Sequence, residues 1–140
     1  MAYWLMKSEP DVFSYDDLAR KPVEEWHGVR NFQARNNMMK MRVGERAFFY
    51  HSNIGKEIVG IMRIVAPAHP DSTAAPNASG KVVWQCVDVV AETRLPRPVT
   101  LAAIKAEPDL SDMVLVNNSR LSVQPVSDAE WALICRLGGL

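Results

Sequence analysis

Residues 46–65 constrain the fold more than any other stretch. Arg46-Ala47-Phe48-Phe49-Tyr50-His51 is aromatic and β-prone, and a period of two puts Phe49 and His51 on one face and Phe48, Tyr50 and Ser52 on the other. Asn53-Ile54-Gly55-Lys56 has turn chemistry, and Ile58 to Val65 is a second apolar run, so a β-hairpin is predicted. Gly60 sits in the middle of that second strand, where it marks a bulge or a close backbone approach. No regular βαβ rhythm surrounds the hairpin, and no GxGxxG or Walker sequence is present, so a Rossmann-like sheet is disfavoured.

The remaining elements follow from caps and breakers. Tyr3 to Met6 reads as a first strand ended by Lys7-Ser8-Glu9-Pro10. Ser14 caps a short helix, Tyr15 to Arg20. Asn31 caps a second helix, Phe32 to Met41, with Ala34, Met38 and Met41 on one apolar face. Pro67 to Gly80 reads as a loop, and His69 as a lone histidine on it. A third strand runs from Lys81 to Val90, with an extension to Leu95 allowed, and Pro96 and Pro98 stop it. Thr100 caps Leu101 to Ala106, and Pro108 can open another turn. Asn117 to Arg120 is a polar loop, and Leu121 to Val126 is an edge strand because of Pro125. Ser127 and Glu130 form a capping box for a last helix, whose core stripe is Trp131, Ile134 and Cys135. The order β-α-α-β-β-β-α-β-α predicts one α+β domain over 1–140: a small curled mixed sheet or partial barrel with short peripheral helices.

Charge adds one hint. The chain has 16 basic and 16 acidic residues and a net charge of zero, so the molecule as a whole does not attract polyanions. Between Trp26 and Arg63, however, seven Lys or Arg stand against two Glu, a local balance of +5. Cys86 and Cys135 lie among apolar residues without CxxC spacing and read as core, and the three histidines lack metal spacing, so neither metal nor cofactor is predicted. No charged segment followed by an apolar stretch opens the chain, and no run of 18 apolar residues occurs. The expectation is a soluble cytoplasmic protein, monomeric and without membrane contact.

The densest chemistry is Trp26-His27-Gly28-Val29-Arg30-Asn31-Phe32-Gln33-Ala34-Arg35-Asn36. Each of its amide, imidazole and guanidinium groups needs a partner once it leaves water. Two readings stand open on this stretch alone: a solvated helix-entry loop, or a loop that delivers polar groups to a helix N-terminus suited to an anion. Further polar clusters recur at predicted strand ends: Lys7-Ser8-Glu9, then Tyr50-His51-Ser52-Asn53, then Ser119-Arg120 before Ser122. Together they can converge on the rim of one sheet, a common place for binding groups. No GxSxG, HExxH or paired-cysteine set accompanies them, so no catalytic residue is assigned.

Tyr3-Trp4-Leu5-Met6-Lys7-Ser8-Glu9-Pro10 resembles the opening of the EVE domain family, and residues 26–36 resemble its W-x-G-V-R-N-x-x-A-R-N pattern. Phe49-Tyr50-His51-Ser52-Asn53 and Ser119 to Val126 match its other signatures. The resemblance implies a PUA-like pseudo-barrel, related to SRA and YTH domains, that recognises a modified base of DNA or RNA without catalysis. An aromatic face, Trp26 or Tyr50, would stack on a flipped or unpaired base. Asn31, Ser52 and Glu9 would read its edge, within a pocket that also draws on Ser8, Val29, His51, Ser119 and Ser122. Lys7, Arg30, Arg35 and Arg120 would suit phosphate or sugar. The alternative is an ASCH-type hydrolase of a modified pyrimidine nucleoside, with Lys7 and Glu9 as general base and partner.

Overall fold

A computed structural model describes residues 1–140. Its centre is a six-stranded mixed sheet, in the order β2-β5-β4-β3-β1-β6. The strands are β1 (Tyr3–Ser8), β2 (Glu24–Glu25), β3 (Arg46–His51), β4 (Glu57–Pro70), β5 (Gln85–Thr100) and β6 (Val123–Val126). β1 runs parallel to β3, and every other pair is antiparallel. This is the α+β class that the sequence predicts.

Alternation along the central strands builds two cores. Trp4, Met6, Ala47 and Phe49 face one side, with Leu18 of helix α1 (Tyr15–Ala19) and Ala34 and Met38 of helix α2 (Phe32–Lys40). Leu5, Phe48, Tyr50 and Ile58 face the other, with Ile104 of α3 (Leu101–Ala106), Leu115 of α4 (Val114–Asn117), and Trp131 and Ile134 of α5 (Asp128–Leu137). Trp131 stacks on Phe48 at 3.8 Å and on Tyr3 at 4.3 Å between ring centroids. Period two on a sheet covered on both sides explains why apolar residues occupy consecutive positions in β1 and β3.

The caps are those the sequence predicts. Ser14 and Asp17 form a capping box on α1, Asn31 Oδ1 accepts from the Ala34 N–H on α2, and Ser127 and Glu130 form a second box on α5. Gly60 is a close approach: a Cβ there would stand 2.4 Å from the Tyr15 ring, whose hydroxyl donates to the Ile61 carbonyl. Pro125 lies in β6, which is an edge strand.

Four expectations need correction. β4 continues to Pro70, so His69 is a strand residue and not part of a flexible loop. β5 begins at Gln85 and continues through Pro96 and Pro98 to Thr100. The prolines are tolerated because the β4–β5 register jumps there: Ile58 pairs with Val99 but Gly60 pairs with Arg94, so both prolines lie in the extra length of β5. The two-residue β2 pairs Glu24 with Val89 and Glu25 with Asp88, and is too short for periodicity to reveal. The single turn of α4 had no sequence signal either, since Met113 provides no side-chain cap. Repeated register shifts along β4 and β5 bend this hairpin and curl the sheet.

Candidate functional site

A cavity of about 480 Å³ opens where β1 ends beside β2 and the loop that follows it. Lys7 and Ser8 come from β1, Phe13 from the turn after it, and Trp26, Val29 and Arg30 from the 26–31 stretch, with Ser122 from the approach to β6. Its volume lies within the range of small-ligand sites. β1 pairs with both β3 and β6, which brings residues 7–8, 50–51 and 122–123 to one end of the sheet, but only Lys7, Ser8, the 26–30 stretch and Ser122 of the predicted clusters line this cavity.

Trp26 is 7% exposed and meets Phe13 and Phe49 edge to face at 6.4 and 5.4 Å. It is therefore a fixed wall, held by edge-to-face contacts with both rings. Lys7 Nζ donates to the Ser119 carbonyl at 2.7 Å and lies 5.8 Å from the Tyr50 ring centroid. Burial pushes the Lys7 ammonium below its usual pKa. Lys7 and Glu9, the general base and partner of the hydrolase alternative, form no ion pair with each other. Glu9 is exposed, and its carbonyl instead accepts from the Val12 and Phe13 N–H groups.

The expected residues do not share one chamber. Tyr50, Ser52 and Ser119 line a second cavity of about 320 Å³, which meets the first only at Lys7. His51 Nε2 accepts from the Tyr15 N–H at 3.1 Å, which caps α1 and fixes the ring's tautomer; burial lowers its pKa. Asn31 spends its side-chain oxygen on the α2 cap. Arg120 is exposed and lines neither cavity. Arg35 donates to the Val83 carbonyl at 3.0 Å and to Asn36 Oδ1 at 2.8 Å.

Arg30 is held from the far side of the sequence. Its Nη1 donates to Asp71 Oδ2 at 3.0 Å, and the Gly28 N–H donates to the same oxygen at 2.8 Å. The Thr73 hydroxyl and N–H donate to Asp71 Oδ1. Burial alone would raise the Asp71 pKa, but these donors from Thr73, Gly28 and Arg30 outweigh it and hold the carboxyl far below the usual range. Gly28 has φ +87°, which explains why a glycine stands where the loop presents this N–H. Asp71 and Thr73 escaped the sequence reading; the available signal was their turn-forming Asp-x-Thr spacing.

Also missed were Lys21, Glu24 and Glu25, which line the main cavity. Glu25 accepts from the Ser72 hydroxyl at 2.6 Å, which lowers its pKa. His69 and Cys86 are cross-strand partners, and with Glu25 they bring three potential ligand atoms within 4.8 Å of one another, although no metal spacing exists in the sequence. Here Asp88 takes His69 Nε2 at 2.8 Å and raises its pKa, while burial pushes the Cys86 thiol up to about 12. Outside the cavity, Phe32 and Trp84 stack at 4.7 Å.

Comparisons with known proteins identify the relatives of this chain. A family model described as the EVE domain matches residues 2–137. Human thymocyte nuclear protein 1 is 36% identical over 165 aligned residues, covering 97% of this chain and 73% of that protein. A solved structure of an Agrobacterium tumefaciens protein superposes with TM-score 0.93 at 49% identity, covering 100% of this chain and 94% of the other. Human THYN1, solved in complex with 5-methylcytosine-containing DNA, superposes with TM-score 0.92 at 35% identity, covering 100% and 99%. An ASCH protein of Zymomonas mobilis, at 11% identity and TM-score 0.58, shares the fold alone. The chain belongs to the EVE domain family.

Proposed function

We propose that this protein binds DNA carrying a modified cytosine, without catalysis, and takes the modified base out of the stack into the cavity beside Trp26. The observation that carries the reading is the cavity itself. It combines a rigid indole wall with polar groups from Lys7, Ser8, Arg30 and Ser122 at the end of a sheet, and its 480 Å³ accommodates one base. The DNA complex of human THYN1, 35% identical and nearly coextensive with this chain, supports DNA as the partner and 5-methylcytosine as the first modification to test.

A flipped base would lie against Trp26, and stacking of this kind contributes about 1–3 kcal/mol. Glu24 and Glu25 can accept from an exocyclic amino group such as that of cytosine. Lys7 and the nearby hydroxyls can donate to carbonyl or ring acceptors. Because Asp71 already pairs with Arg30, this guanidinium shapes the rim and is not a free phosphate clamp. Arg120, exposed and next to Ser119, whose carbonyl accepts from Lys7, is a candidate to meet the backbone.

The test is a binding titration of matched oligonucleotides with and without 5-methylcytosine. A clear preference for the modified strand, abolished by Trp26→Ala, is expected. Equal affinity for both strands overturns the reading. Release of a converted nucleoside at catalytic protein concentration would instead establish an enzyme.

A further inference from the structure

Beside the cavity stands a column of four planar groups. Phe32 opens α2 and is 57% exposed, whereas Trp84 immediately precedes β5. Their rings stack with centroids 4.7 Å apart and planes 22° from parallel. The Arg35 guanidinium lies 4.9 Å from the Phe32 centroid, and the Arg30 guanidinium lies 5.7 Å from that of Trp84. Each ring fills the other's inner face, so the two guanidinium groups lie on the outer sides.

This is an uncommon way to leave a phenylalanine. A contact that served only to fasten the 71–84 segment to α2 would gain most by burying the ring. Here more than half of Phe32 faces water, while hydrogen bonds to the Val83 carbonyl and to Asn36 hold Arg35 in place. Asp71 matches the charge of Arg30, so the surplus charge of the column is that of Arg35. Arg30 also lines the main cavity, which makes the column continuous with the cavity rim.

We propose that the column is a second subsite, which takes a nucleobase adjacent to the modified one in the same DNA strand. The inference rests on the base-binding reading of the cavity. When a base leaves the stack, its neighbours lose a stacking face. The outer face of the Arg35 guanidinium, backed by the Phe32–Trp84 stack, replaces that face for any base, because every base has a π-face. The Arg35 cation matches both the electron-rich face of a base and the negative strand. The subsite therefore strengthens binding at either neighbour sequence and leaves the choice of modification to the cavity.

The experiment compares wild type, Phe32→Ala and Phe32→Tyr by fluorescence anisotropy. The probes are short DNA strands with one 5-methylcytosine, flanked either by natural nucleotides or by abasic residues, each beside an unmethylated control. Abasic flanks should weaken wild-type binding on the order of 5- to 100-fold. Phe32→Ala should lose a similar factor on the natural strand and become indifferent to the flanks, and Phe32→Tyr should behave as wild type. Preference for the methylated strand should persist in all three. A wild type that prefers methylation but ignores abasic flanks overturns the subsite alone. So does a Phe32→Ala protein that remains as sensitive to the flanks as wild type. If wild type shows no preference for the methylated strand, the cavity reading fails and the subsite falls with it.

Discussion

Asp71 and Arg30 form an ion pair at 3.0 Å across 41 positions of sequence, with the carboxylate only 1% exposed. Through this pair, and through the Gly28 N–H on the same carboxylate oxygen, the 71–84 segment holds the loop that carries Trp26 and Arg30. Replacing Asp71 with Ala leaves the Gly28 and Thr73 N–H groups without their acceptor. The cost should be about 1–3 kcal/mol, read as a lower urea midpoint with unchanged slope. Affinity for a methylated oligonucleotide should fall as well, because the cavity rim loses its anchor. An unchanged midpoint would show that the clasp contributes nothing.

The pH response should have two limbs of opposite sign. Hydrogen bonding lowers the Asp71 pKa, so its contribution is present above the unfolded value of about 4 and is lost as pH falls below it. The Asp88 hydrogen bond raises the His69 pKa, so its contribution is complete below about pH 6.5 and is lost as pH rises through the higher folded value. Melting temperatures measured from pH 3 to 9 should show both limbs. Asp88→Asn should remove the upper one and leave the lower.

Gly60 should not tolerate alanine. The new methyl group would stand 2.4 Å from the Tyr15 ring, which cannot retreat without losing its hydrogen bond to Ile61. Gly60→Ala should cost about 1–3 kcal/mol by overpacking. The double variant with Tyr15→Ala should cost less than the sum of the two single changes, since the clash disappears with the ring. Strict additivity in chemical denaturation would refute the steric account.

Salt should distinguish a single-base reader from a general polyanion surface. With zero net charge overall and Arg30 already paired, the face around the cavity should neutralise only a few phosphates. The slope of log affinity against log salt on duplex DNA should be shallow, about −2 to −4. Arg120→Ala should flatten it by about one unit if that side chain meets one phosphate. A steep slope shared by methylated and unmethylated DNA would favour a general nucleic-acid surface.

Trp26 and Tyr50 should separate in their effects. Trp26 walls the larger cavity, whereas Tyr50 faces the smaller one behind Lys7. Trp26→Ala should abolish preference for the methylated strand, whereas Tyr50→Phe, which keeps the ring in its core cluster, should preserve it. Loss of preference in Tyr50→Phe alone would move the base site to the second cavity.

Local physics wrote much of this protein in readable form. Ser14, Asn31, Thr100 and Ser127 cap their helices because a short side chain satisfies a free N–H a few residues away, a relationship contained within one turn. The alternation of Phe48 and Phe49 assigned each ring to its own face, and Gly60 announced the close approach of another group. The EVE signatures pointed to the family and its fold. Tertiary structure decided the rest. Only β1 lying between β3 and β6 divides the polar clusters, placing Lys7, Trp26 and Ser122 in one cavity and Tyr50, Ser52 and Ser119 in another. Only the long bent β4–β5 hairpin carries Asp71 to Arg30, His69 to Cys86 and Trp84 to Phe32. Those pairings depend on register shifts and strand order, which are set by how distant segments pack and leave no periodic trace in the residues themselves.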